Sequence, residues 1–183
     1  MKLLLPLVAV GLVGCGSSDR LVPLAVGKKW DYRFRWGVQQ KIGKVEVVRE
    51  VPVANGTGWE LRSPMGVARL GYSGNDLVAE QLSGSFLKPA LPIGIAIGGH
   101  RKWRGWVVTA TGKRAAKATI EADESKQQIA GRTRKLNRTV VSMNVEGHPI
   151  ELATWYAPGE GIMLQQQATN EKVDLALDRV AGE

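Results

Sequence analysis

The residues able to do chemistry in this chain are few and far apart. Two histidines occur, His100 and His148. They have no cysteine nearby and no His-x-x-x-His spacing, so they fall short of the three good ligands a zinc site needs. No metal is expected. The closest approach to a nucleophile elbow is Gly71-Tyr72-Ser73-Gly74-Asn75, but Asn75 stands where the last glycine belongs, in a stretch that reads as a hairpin turn. Gly94 to Arg101 is glycine-rich, yet His100-Arg101 replace the Lys and Ser/Thr of a phosphate loop. Asp123 and Glu124 are adjacent in a charged turn and do not read as an acid/base pair. No catalytic residue and no cofactor is named, and the expectation is a protein without enzymatic activity.

Recognition chemistry is easier to find. His100-Arg101-Lys102-Trp103-Arg104-Gly105-Trp106 interleaves cations with indoles, which suits stacking on sugars or contact with lipid headgroups. The competing reading is a strand with inward tryptophans and outward cations. Further upstream, Trp30, Tyr32, Phe34 and Trp36 alternate with Asp31, Arg33 and Arg35, the pattern of a half-buried strand with an aromatic face. The candidate ligand-binding residues are therefore Trp30, Trp36, Trp103 and Trp106.

The first fifteen residues carry an address. Lys2 precedes an apolar run from Leu3 to Val13, and Gly14 stands before Cys15, the only cysteine. The run is about half the roughly 20 residues a membrane-spanning helix requires, which leaves a cleaved secretory signal. Leu12-Val13-Gly14-Cys15 resembles the lipobox of bacterial lipoproteins. The resemblance implies that Cys15 is diacylated, becomes the mature N-terminus and anchors the protein at a membrane. Each buried acyl CH₂ contributes about 0.8 kcal/mol, so two or three chains hold almost permanently. Residues 1–14 are then a signal peptide, 15–21 the lipidated cysteine and a short tether, and 22–183 a single β-domain. The location would be extracytoplasmic, on the periplasmic face of an outer membrane or at a cell surface.

Acylation leaves no free thiol for a disulfide, so packing and hydrogen bonds must hold the fold. The formal charge of +8 permits contact with anionic lipid, an acidic polymer or an envelope protein. The export signal argues against nucleic acid as a partner. The nearest thing to a cationic cluster is Arg132, Arg134, Lys135 and Arg138, with Lys113, Arg114 and Lys117 upstream.

Glycine is abundant at 22 residues, and Trp and Val are scattered, which favours short strands and turns over long helices. Strands are expected over 30–36, 41–53, 59–62, 67–72, 77–82, 103–109, 115–122, 139–145, 151–156, 162–167 and 173–177, with another short one over 126–129. Arg49 interrupts a valine face, which signals a bulge or an edge. A turn is expected over Asn55-Gly56-Thr57-Gly58. Phe86 to Gly99, broken by Pro89 and Pro92, reads as an irregular segment over the core. A short helix is the alternative over 123–128 and over 173–180. About ten strands joined by turns make an all-β antiparallel meander, which must close as a curved sheet, a sandwich or a barrel.

Two stretches resemble a group of poorly characterised bacterial lipoproteins and secreted proteins. One is Pro23-Leu24-Ala25-Val26-Gly27-Lys28-Lys29-Trp30-Asp31-Tyr32, a Pro-Leu-x-x-Gly-x-x-Trp-x-Tyr pattern. The other is Ala157-Pro158-Gly159-Glu160-Gly161 after two aromatics. The resemblance implies an all-β extracytoplasmic domain and no particular activity. The leading expectation is a lipid-anchored binding or envelope-structural domain. The alternative is a carrier of an apolar ligand such as a lipid, with 86–99 as a lid and an apolar cavity of several hundred Å³. A hydrolase with no identifiable site is the third reading.

Overall fold

Period-2 alternation runs through nearly the whole chain, and every alternating stretch is a strand. The structure, a computed structural model, describes residues 20–129 and 131–180. The signal stretch, Cys15 and most of the tether lie outside the described residues. Twelve strands follow in order: β1 (Lys29–Trp36), β2 (Gln39–Val53), β3 (Gly56–Ser63), β4 (Gly66–Ser73), β5 (Asp76–Leu82) and β6 (Ser85–Gly94), then β7 (His100–Thr109), β8 (Gly112–Ile129), β9 (Arg132–Val145), β10 (His148–Ala157), β11 (Gly161–Thr169) and β12 (Lys172–Arg179). Each pairs antiparallel with its sequence neighbours, and β1 pairs with β12 from Tyr32↔Arg179 to Trp36↔Leu175. The meander closes as a barrel. Residues 123–128 lie in β8, and all but the last of 173–180 lie in β12, so neither forms a helix.

The two ends of the barrel differ. At one end the aromatic face of β1 meets the segment that precedes it. Leu21, Val22 and Leu24 are buried there beside Trp30, Tyr32 and Tyr156. Specific hydrogen bonds fix this plug. The Val22 N–H donates to Tyr72 Oη at 2.9 Å, and the Tyr72 hydroxyl donates back to the Val22 carbonyl at 3.0 Å. Trp30 Nε1 donates to the Glu160 carbonyl at 3.1 Å, Tyr32 Oη to Ile162 O at 2.8 Å, and Tyr156 Oη to Ile93 O at 2.6 Å. The Gly159 N–H donates to Arg20 O at 2.8 Å, so the 158–160 turn clasps the start of the plug. Buried phenols and indoles require such partners.

Three departures from simple alternation shape the wall. The first is a bulge in β2, where pairing with β3 jumps from Val47↔Leu61 to Arg49↔Glu60. The extra residue turns Arg49, Val51 and Val53 to the outer face, which is why a valine stripe seems broken by an arginine in the sequence. Val53 then covers Gly58 and Gly71, where a Cβ at either position would collide with it. The turn that follows is Ala54-Asn55, both at positive φ, one residue earlier than the Asn-Gly signal suggests.

The second is the 86–99 region, which corrects the expected irregular lid. Residues 85–94 are β6, part of the wall. Pro89 and Pro92 fit because β6 pairs with β7 only over Phe86–Lys88 and Trp106–Val108. A proline lacks the N–H that a fully paired strand must donate. At this seam Trp103 Nε1 donates to the Pro89 carbonyl at 3.1 Å, and Gly105 lies so close that a Cβ there would strike Lys88 O and Pro89.

The third is the long β8–β9 ribbon. Pairing of β9 with β10 ends at Asn137↔Tyr156, and the ribbon runs on to Ile129↔Arg132. It folds over the outside of the barrel, packing Leu136 and Ile129 against Trp155, Met163 and Leu164. Arg134 reaches Glu160 and pins the flap.

The plug carries a pH dependence. Burial pushes the Tyr32 phenol up to about 12, opposed by the Arg179 guanidinium. Burial drives Tyr156 in the same direction. A phenol held neutral in the fold contributes stability that is full below its ordinary value of about 10 and is lost as pH rises through the folded value. Melting temperature should therefore fall steeply between pH 10 and 12. Tyr32→Phe should flatten that fall while costing about 1 kcal/mol at neutral pH from the lost bond to Ile162. Melts of both proteins across this range check it.

Candidate functional site

An eight-stranded barrel has an interior that side chains can about fill, and diameter grows with strand number. Twelve strands leave more room than this sequence fills. The aromatic plug occupies one end. Toward the other, a cleft of about 500 Å³ remains. Its walls are aliphatic: Leu87, Leu91, Val141, Met143, Ile150 and Leu152. The register explains them. Ile150 faces Met143, Leu152 faces Val141, and Val141 also faces Ile120, so directly opposed positions on β8, β9 and β10 carry aliphatic side chains to the same inner face. The rim is polar and opens to solvent at the hairpins 83–84, 110–111 and 146–147, through Ser83, Ser85, Thr109, Thr111, Arg114 and His148. A smaller void of about 100 Å³ lies between Trp30 and Met65 and shares Leu82 and Ser83 with the cleft. A lumen of several hundred Å³ is the size of ordinary small-ligand sites, about 300–1,000 Å³.

The four candidate tryptophans do not share one platform. Trp30 is buried in the plug and borders the smaller void. Trp36 ends β1 at the open end and is half-buried against the core. Trp103 is buried at the β6–β7 seam. Trp106 faces outward, 42% exposed, with Lys113 Nζ 3.9 Å from its ring centroid. The His100–Trp106 stretch thus splits its two indoles between the inside and the outside. The lining of the cleft escaped sequence reasoning because its residues are ordinary aliphatics on separate strands. Only the closed register reveals that they surround a space.

Ion pairs elsewhere bear on the basic cluster of the sequence. Arg138 with Asp123, Lys135 with Glu124 and Arg134 with Glu160 neutralise much of the 132–138 cluster. His100 lies 3.4 Å from Glu121 on the outer wall, and His148 stands at the open end, so the two histidines are far apart. Among the described residues no group of three or more His, Cys, Asp and Glu could hold a metal ion. Glu60, on the outer face of β3, is covered by Arg49 at 2.7 Å, Arg69 at 3.4 Å and Arg62 at 3.6 Å. The Arg49 hydrogen bond holds its carboxyl below the usual range, and burial works against it.

Fold and cavity together define an antiparallel β-barrel that closes on itself, plugged at one end and open at the other. No family model matches this chain, and no curated protein matches it. Two solved structures are similar. One is a "putative lipoprotein" from Parabacteroides distasonis ATCC 8503, at 9% identity and a TM-score of 0.53, over 88% of this chain and 97% of that one. The other is a "putative exported protein with YmcC-like fold" from Bacteroides fragilis NCTC 9343, at 10% identity and a TM-score of 0.41, over 86% of this chain and 95% of that one. The first likeness is one of fold alone, and the second is too loose to add to it.

The split placement of the tryptophans is testable by truncation. Trp103→Ala should cost about 3–5 kcal/mol, the range for removing a buried large aromatic, whereas Trp106→Ala should change stability by less than about 1 kcal/mol. Denaturant unfolding of both variants measures this.

Proposed function

We propose that this protein is a lipid-anchored, extracytoplasmic binding protein whose barrel holds an apolar ligand. The single observation that carries the reading is the cleft of about 500 Å³ with aliphatic walls and an open, polar rim. Left with water alone, such walls forgo about 25 cal/mol for each Å² of apolar surface that a ligand would cover. The reading is one of binding, with no catalytic step. The lipobox-like Leu12-Val13-Gly14-Cys15 supports the anchor. The name carried by the Parabacteroides protein is in keeping with the same address.

The plugged end, where the described chain begins, lies opposite the mouth. Arg20, five residues after Cys15, is clasped by the 158–160 turn at the plugged end. An eight-residue strand such as β1 spans roughly 26 Å. A protein tethered through Cys15 would therefore hold its opening away from the membrane that anchors it. That arrangement suits exchange of the ligand with something other than the anchoring bilayer.

A second reading is favoured by a different observation. The outward Trp106 is stacked with Lys113, and Arg104 opposes Lys117 on the same outer surface. This basic, aromatic strip would serve docking to an anionic envelope component.

Titration of the domain from Ser17 onward with an apolar fluorophore, N-phenyl-1-naphthylamine, tests the first reading. Saturable binding at one site is expected. Val141→Trp, which fills the cleft from its floor, should weaken binding at least about tenfold, the equivalent of about 1.4 kcal/mol. Unchanged binding by a folded Val141→Trp variant would refute the lumen as the site.

A further inference from the structure

We propose that the cleft takes a single-chain amphiphile with an anionic head, a carboxylate or a phosphate, whose chain enters the lumen and whose head is held at the mouth by Arg114 with His148 beside it. This rests on the apolar-ligand reading above and names the ligand class for the same site.

The register puts the two side chains together. Arg114 on β8 is directly opposed to Val107 on β7. Two residues along β8, Ala116 is opposed to Val145 on β9, and Val145 is opposed to His148 on β10. Opposed residues in an antiparallel ladder share a face, and positions two apart on a strand share it too. Val107, Arg114, Ala116, Val145 and His148 therefore all stand on the inner face, and Arg114 and His148 reach the open rim. Both line the cleft and both are solvent-exposed.

The charge balance of the site is one-sided. Arg114 and His148 are the ionisable residues among those lining the cleft, and no carboxylate lines it or the smaller void. Glu146, in the adjoining turn, makes no ion pair with Arg114 among the described residues. A guanidinium at the lip of an aliphatic pocket is placed to pair with an anion that arrives from solvent. Arginine presents a planar fork of donors matched to carboxylate and phosphate. Ser83, Ser85, Thr109 and Thr111 add hydroxyls around the same rim. An apolar floor with a cationic, hydroxyl-bearing lip is complementary to an amphiphile with a negative head, and mismatched to a cation or to a hydrocarbon lacking a head.

The test uses the full chain in neutral phosphatidylcholine nanodiscs and three photoactivatable probes with the same C16 chain: palmitate, lysophosphatidate and palmityl alcohol. Crosslinked peptides are mapped by mass spectrometry. Cleft peptides from β8–β10 should be labelled by at least one anionic probe about tenfold more than by the alcohol, the factor expected for one hydrogen-bonded charge pair. Whichever anionic probe labels more strongly identifies the head as carboxylate or phosphate. Arg114→Glu should abolish this preference while leaving alcohol labelling unchanged. Lys126→Glu, an exposed position on the same strand outside the cleft, should leave the preference intact. Equal cleft labelling by all three probes would overturn the anionic head and keep the apolar-ligand reading. Absence of cleft labelling by any probe would overturn both.

Discussion

The hydrogen-bonded pairing of β1 with β12 is the constraint on which the rest depends. Without it the sheet would end in two long edges, each offering unpaired N–H and C=O groups to other chains. With it, every strand has two neighbours, and the structure needs neither a disulfide nor a helix to hold its ends. Closure at twelve strands also sets the circumference, and the circumference sets a lumen that must be filled, plugged or used. Filling and plugging occur at one end. The bulky face of β1, Tyr156 and the 21–24 segment occupy it, their polar atoms partnered by Tyr72 and by the carbonyls of Ile93, Glu160 and Ile162. The other end is left with aliphatic walls around open space.

That division sets the first described residues at the end opposite the site. The plug is made by the first described residues, so under the proposed anchoring through Cys15 one continuous segment would both tether the protein and close one mouth of the barrel. The opposite mouth is built from two-residue hairpins whose polar residues ring the cleft. The β8–β9 ribbon plays a separate part. Its length exceeds what the wall needs, and it folds back over Trp155 on the outside, thickening the wall behind β10 and β11. The barrel is least continuous at the β6–β7 seam, where three residue pairs, the Trp103–Pro89 hydrogen bond and the close approach at Gly105 stand in for a full ladder.

Much of this was legible in the sequence, and the reasons for success and failure are physical. Alternation over Trp30 to Trp36 reports burial directly, and Trp30, Tyr32 and Phe34 are inside. Arg49 among valines signals a bulge or an edge; the structure has a bulge, and Val51 and Val53 change sides after it. Pro89 and Pro92 hide β6, because proline argues against a paired strand and the sequence cannot show that β7 leaves that stretch unpaired. The outward course of residues 123–137 is hidden as well, since a ribbon packing on the outside of its own barrel has the mixed polarity of a loop. The candidate site was the least legible part. Arg114 reads as one cation in a basic run until the register sets it on the inner face, and the leucines, valines and isoleucines of the cleft look like any core.

The central claim is that the unfilled lumen is a ligand site rather than a packing defect. Native mass spectrometry of the domain from Ser17 onward, exported to and isolated from a bacterial periplasm, tests it most directly. A noncovalently bound mass of several hundred daltons, within the range of small-ligand sites and lost on denaturation, is the predicted result. A bare polypeptide mass that stays bare after incubation with long-chain amphiphiles would contradict it.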